Sequence, residues 1–323
     1  MLKKLLLLSF VFLFLTSCSK NEKITLVSST GRINHLLIVM NNSDWQGEIG
    51  DTLREIIAKP VVGLPQEEAQ FSINQVGPET FNNLFKRTRN ILFVGIDDER
   101  KFYTNNNVYS DPQTTLTILG NNKEDLIENL NSHKKEIIST FKNNDLKVYQ
   151  KNLLKDVWNT KNIKTFNKLG FSLEIPTQYI KAEDDGKLVW YRHHFSKGQL
   201  NILAYEIPNS TKKDLNIHNI TKIKDSIGKI HMPGQFENTY MISEPQFEPI
   251  TKNLKFKGLP ALESRGLWIV KNDFMGGPYL SYALFDASKN RIIIIEGFSY
   301  SPATKKRDFV FELEAILKTF QIR

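Results

Sequence analysis

Cysteine is all but missing, with Cys18 alone in 323 residues. A single thiol excludes an internal disulfide and any zinc site built on cysteine pairs. Histidine is scarce as well, at six, and none stands in an H-E-x-x-H arrangement. The G-x-S-x-G elbow of serine hydrolases, the G-x-x-x-x-G-K-[ST] and G-x-G-x-x-G phosphate loops and the EF-hand calcium loop are also missing. These absences weaken the usual hydrolase, zinc-protease, nucleotide and calcium readings and imply no cofactor. No internal repeat occurs, and no apolar run reaches the roughly 20 residues that span a bilayer.

Charge of one sign is not concentrated either. The chain carries 43 basic against 35 acidic residues, a net charge of +8. The bases are interleaved with acids, as in Lys222-Ile223-Lys224-Asp225 and Lys305-Lys306-Arg307-Asp308. This is not a nucleic-acid footprint, and no nucleic-acid partner is expected. A hydrophobic share of 40% is enough to bury real cores, and the length suits two domains.

What is present begins at the N-terminus. Lys3 and Lys4 precede an apolar stretch from Leu5 to Leu15, the pattern of an export signal and too short for a membrane span. Leu15-Thr16-Ser17-Cys18 resembles the lipobox of bacterial lipoproteins. The expectation is a signal peptide over 1–17, lipid attached to Cys18, and a polar tether over 18–29. Several acyl chains on one cysteine give the two or more anchors that stable membrane attachment needs. By family analogy, Ser19 after the cysteine implies a cell-envelope lipoprotein sorted to the outer membrane.

Hydrophobic periodicity divides the remainder. Over 30–158 strands alternate with helices. His35 to Met40 and Asn90 to Ile96 read as strands covered on both faces, with Gln70 to Val76 and Thr114 to Leu119 as further strands. A helix follows at Ile49 to Ile57, a short one at Pro78 to Arg87, and a long one at Asn121 to Lys142. This predicts an N-terminal α/β sandwich. Over 163–323 the strands lengthen and alternate: Phe171 to Pro176, Leu188 to His194, Gln199 to Ile207, Leu259 to Val270, Tyr279 to Asp286 and Arg291 to Tyr300. A helix near Ile217 to Ile230 interrupts them. A last helix carries Phe309, Leu313, Ile316, Leu317 and Phe320 on one stripe. This half reads as α+β, an antiparallel sheet packed by helices, and its plan resembles the PsbP-like fold.

The stretch from Arg265 to Arg307, containing RGLW and NDFMGGP, together with Asp44-Trp45-Gln46-Gly47 and Gly63-Leu64-Pro65-Gln66-Glu67-Glu68, resembles domain-of-unknown-function family 4837. The resemblance implies an envelope lipoprotein of Bacteroidetes-type bacteria and carries no activity with it.

Few residues suggest chemistry. His193-His194 would lie on opposite faces of a strand and cannot share an ion without a bulge. His218 and His231 lack ligand spacing. Glu67-Glu68 and Asp97-Asp98-Glu99 read as acid/base candidates or as caps and solvated loops, the latter cluster following a buried strand where α/β folds place ligands. Asp51-Thr52-Leu53 and Asp225-Ser226-Ile227 match a short glycosylation pattern at Thr52 and Ser226. The most unusual segment is Asn272 to Tyr279. Gly276-Gly277-Pro278 suggests a turn, and Arg265, Trp268, Asp273, Phe274, Met275 and Tyr279 are candidate partner-binding residues, of types enriched at interface centres. The competing reading is a tight turn with its aromatics in the core. The expected function is a non-enzymatic, lipid-anchored binding or assembly factor with an envelope protein or glycan partner. An envelope hydrolase or carbohydrate-active enzyme with an interdomain site, and a structural lipoprotein, are the alternatives.

Overall fold

The computed structural model describes residues 25–323. The expected signal peptide, Cys18 and the start of the tether lie outside the described residues. The tether's end is not free: Ser29 N–H donates to Asp111 O at 3.2 Å and Asp111 N–H donates back to Val27 O at 3.0 Å.

The first sheet is built from β1 (His35–Val39), β2 (Ser72–Val76), β3 (Asn90–Ile96), β4 (Lys101–Asn106) and β5 (Thr114–Gly120), in the order β2-β1-β3-β5-β4. All neighbours are parallel except β4, which runs antiparallel to β5 at the edge. The unbroken apolar run of β1 feeds both faces. Leu36 and Ile38 join the core under the helices Glu48–Ile57, Lys123–Ser132 and Lys134–Leu153, while Leu37 and Val39 pack against Phe81, Phe85 and Tyr109 on the other side. β4 has no counterpart in the sequence reading, because KFYTNN is polar and largely exposed. The single helix expected over Asn121 to Lys142 is two helices. His133 leaves helical geometry at φ −105°, ψ 12°, and its ring stacks on Phe102 of β4 at 4.0 Å. The helix expected from Pro78 to Arg87 is likewise split, into Pro78–Thr80 and Asn83–Lys86.

The second half opens on a minor pair. β6 (Phe171–Ser172) joins the C-terminal β15 (Gln321–Ile322), apart from the main sheet. Phe171 to Pro176 was expected to open the meander. Instead Phe171, Leu173 and Ile175 are all buried in the core beneath the C-terminal helix, and the meander starts one segment later. It comprises β7 (Ile180–Asp184), β8 (Leu188–Phe195), β9 (Gly198–Ile207), β10 (Met241–Ser243), β11 (Ile250–Phe256), β12 (Leu259–Val270), β13 (Gly276–Asp286) and β14 (Arg291–Tyr300). These eight form one antiparallel sheet, ordered β10-β12-β13-β14-β9-β8-β7 with β11 also on β12. Strand alternation sends Ile293 and Ile295 towards the C-terminal helix (Arg307–Leu317), and Ile292 and Ile294 towards the helix Ile217–His231 on the opposite face. The molecule is therefore an α/β layer followed by an α+β layer, with helices on both faces of the antiparallel sheet.

The C-terminal helix joins the two halves. Its first N–H groups need acceptors, and Glu68, from the first half, accepts from Lys306 N at 2.6 Å and Arg307 N at 3.1 Å. Further along, Tyr149 donates to Glu312 at 2.7 Å and Gln150 donates to Ala315 O at 2.7 Å.

Candidate functional site

The sheet divides the Arg265 to Tyr279 segment among three environments. On β12 successive side chains alternate faces, so Arg265 and Trp268 point opposite ways. Arg265 turns towards the C-terminal helix, where Nε donates to Glu263 at 2.7 Å and a terminal nitrogen donates to Glu314 at 2.9 Å. Burial works against its charge, but these two carboxylates outweigh it and push the guanidinium above its ordinary value. Burial would equally raise the Glu314 carboxyl, yet Arg265 and Lys318 hold it down to about 2.

Trp268 is 3% exposed. It meets Phe298 edge-on at 5.5 Å and donates its Nε1 hydrogen to Ser299 O at 3.2 Å. Tyr279 is buried on the same face. The expectation that Arg265, Trp268 and Tyr279 stand exposed to a partner is therefore corrected: all three are held within the sheet's packed layers, although Trp268 also lines the groove described below and Arg265 a cavity on the other face. Gly276-Gly277-Pro278 is not the turn either, since β13 has already begun at Gly276. A Cβ on Gly277 would stand 2.0 Å from Ser299 O, so the glycine permits strand contact with β14. The turn is Lys271 to Met275, with Asn272 left-handed at φ 62°.

Phe274 alone of the candidates is fully outside, at 106% exposure. Asp273 accepts the Phe274 N–H at 2.6 Å, which fixes the tip of the turn. Met275 is half-buried and reaches a groove of about 260 Å³ shared with Trp190, Trp268, Met241 and Phe298. The opposite lip of that groove is the loop Pro233-Gly234-Gln235, which continues into Phe236, 64% exposed. The lips are tied together by Lys271 N–H donating to Tyr240 O at 2.8 Å. The groove wall also carries Arg192, whose guanidinium lies 4.9 Å from the Trp190 ring and donates to Gln199 at 2.9 Å. Two exposed phenylalanines thus flank an aromatic and methionine-lined groove that the sequence did not bring together, because Phe236 lies in a polar loop with no periodic signal.

The other sequence candidates are scattered. Asp97, Asp98 and Glu99 are solvent-exposed, and Glu99 pairs with Lys101 at 3.1 Å. Glu68 is the helix cap described above, while Glu67 is exposed. His194 is exposed and His193 half-buried against Tyr179; His218 is exposed, and His231 bonds Glu183 at 2.9 Å. Thr52 and Ser226 sit within helices, their hydroxyls donating to Glu48 O and Lys222 O at 2.9 Å each. Among the described residues no three His, Cys, Asp or Glu side chains gather around a common point, and no helix is long and apolar enough to cross a membrane.

The sequence reading missed a buried ion pair, Lys224 with Glu296, set between the Ile217–His231 helix and β14. Burial pushes the Glu296 carboxyl up, and the Lys224 ammonium lies 4.0 Å from the Tyr279 ring centre. A signal was available: Glu296 interrupts the apolar run Ile292 to Phe298, and Lys224 lies four residues from buried Ile220 on the helix's inner stripe. It also missed Glu312, which accepts from Tyr149 at 2.7 Å and Tyr179 at 2.8 Å.

Comparison with known proteins adds the family. Residues 29–154 match the domain of unknown function DUF8532, and residues 157–319 match the domain of unknown function DUF4837. No curated protein matches. Among solved structures, the Ran-binding protein Mog1p of Saccharomyces cerevisiae is similar at TM-score 0.32 and 10% identity, over 47% of this chain and 90% of that one. PsbP of the cyanobacterium Synechocystis is similar at TM-score 0.30 and 15% identity, over 48% and 87%. A structure from Bacteroides thetaiotaomicron is similar at TM-score 0.27 and 14% identity, over 48% and 46%. With half of its length matched by that model, the chain belongs to the family of the domain of unknown function DUF4837.

Proposed function

We propose that the chain is a lipid-anchored envelope protein that binds another envelope protein without catalysis of its own. The observation that carries this reading is the pair Phe236 and Phe274, exposed on adjoining loops beside a groove of Trp190, Trp268, Met241, Met275 and Phe298. An isolated exposed apolar residue is ordinary; two large ones around an apolar groove form the anchor-and-pocket arrangement of interface centres. Lys229 and Lys271, both exposed and lying 5.7 and 5.5 Å from the Tyr240 ring, stand at the rim. The partner segment that suits them is apolar with acidic flanks.

A photo-crosslinking amino acid at position 274 in whole cells is expected to give a discrete adduct that Phe236→Ala abolishes, with no such adduct from a probe at exposed position 194. Phe274→Ala is expected to change stability by no more than about 0.5 kcal/mol, measured by thermal melting. Equal adducts from both probe positions, or a sharp loss of melting temperature, would remove the interface. The lipid anchor rests on the signal pattern and Cys18. Cys18→Ser is expected to lose all incorporation of a fatty-acid analogue, and retained label would refute the anchor.

A further inference from the structure

We propose a second binding site, a cavity between the two halves that takes a phosphate group, either free or carried on a small apolar alcohol, with Lys142, Arg265 and Lys318 as its donors. The cavity holds about 270 Å³ and is lined by these three residues together with Arg307, Glu314 and Phe311. That volume suits a phosphate monoester of a few carbons and is small for a nucleotide.

Charge and donor accounting point to an anion. Arg265 pairs with Glu263 and Glu314, Lys318 with Glu314, and Arg307 with Asp308. Asp145, the other carboxylate near Lys142, is held by Arg89 at 3.3 Å, so five cations meet four carboxylates, and Lys142 is the one with no carboxylate in ion-pair contact. Its ammonium donates to Asn34 Oδ1 at 2.6 Å and to Gln70 O at 2.9 Å, both neutral oxygens, and lies over the Phe71 and Phe311 rings at 4.9 and 5.6 Å. An ammonium has three hydrogens, so one is unspent. The bonds of Arg265 run from Nε and one terminal nitrogen, leaving the other terminal nitrogen unused. Lys318 spends one hydrogen on Glu314 at 2.6 Å. These spare donors come from three separate elements, the Lys134–Leu153 helix, β12 and the start of the chain beyond the C-terminal helix. Convergence of that kind matches a tetrahedral oxyanion, which offers several acceptors at once. The remaining wall, Val61, Val62, Val310 and Phe311, is apolar and would cover the carbon part of an ester.

The groups facing Lys142 set its response to pH. Arg307, Asp308 and Glu314 face it from the C-terminal helix, Asp145 from its own helix, and Asn34 and Gln70 from the first sheet's loops. Burial, and then the Arg307 guanidinium, pull its ammonium down to about 8. The contribution of Lys142 to phosphate binding is therefore lost as pH rises through that value.

The test is calorimetric titration of the purified soluble chain with inorganic phosphate and with phenyl phosphate, at matched ionic strength in sodium chloride. Both are expected to bind at pH 7, phenyl phosphate more tightly, with affinity falling at least tenfold by pH 9.5. Lys142→Met is expected to lose at least tenfold, the worth of one charge-assisted hydrogen bond. Lys318→Ala, at a more exposed position where Arg265 still holds Glu314, is expected to lose about threefold while remaining folded with a modest fall in melting temperature, and so tests the site if the first variant folds poorly. Phosphate binding unaffected by both variants would overturn the proposal. So would heat indistinguishable from chloride, and equal affinity for the two probes would overturn the ester in favour of free phosphate.

Discussion

Lys224→Met is expected to lower stability by about 3 to 5 kcal/mol, read as a fall in the urea midpoint with little change in slope. The methionine fills nearly the same volume, so the loss comes from charge. Glu296 would be left on β14, 2% exposed by side chain, with its ion-pair partner gone. A buried carboxylate without a counter-charge is far more costly than the intact pair is favourable. The sign with pH follows. Burial already raises the Glu296 carboxyl, and loss of Lys224 raises it further. In the variant the folded state then holds its proton more tightly than the unfolded state, so stability falls as pH rises through that window and the deficit narrows towards acid pH. Lys224→Met combined with Glu296→Gln is expected to recover part of the loss, because no charge remains buried. A deficit below about 1 kcal/mol at neutral pH would mean that water reaches the pair and that its burial is overstated.

Trp268→Ala is expected to cost about 3 to 5 kcal/mol, the range for truncating a large aromatic in a packed core. The indole sits in the core beneath the Ile217–His231 helix with Tyr279, Phe298 and Ile294. Its removal leaves a cavity and strips the Ser299 carbonyl of the indole donor. Six residues away Phe274→Ala should barely move the melting curve. Thermal melts of the two variants side by side therefore report whether the β12–β13 register is as described, since a one-residue slip would exchange inward and outward positions along the strand. Equal losses from both would contradict it.

Where burial followed period, the sequence was legible. The continuous apolar runs of β1 and β3, the alternation along β9, β12 and β14, and the stripe Phe309, Leu313, Ile316, Leu317 and Phe320 each identified their element, because spacing along one element states which face is buried. The Ala287 to Asn290 turn was legible as a hairpin for the same reason.

What distant partners settle was not. Arg265 and Trp268 look like neighbours in RGLW, yet the sheet sends one to Glu314 and the other to Phe298. Gly276-Gly277-Pro278 has the composition of a turn, but contact with Ser299 makes it strand. Glu68 reads as one of an acidic pair with no identified partner until the start of a helix some 240 residues later in the chain needs acceptors for its N–H groups. The sequence by itself determined the α/β and α+β classes, the C-terminal helix and the family resemblance. The tertiary structure alone decided that the loops carrying exposed Phe236 and Phe274 line one groove and that Lys142 bonds neutral oxygens, because exposure and charge balance belong to neighbours in space, and those neighbours are far apart along the chain.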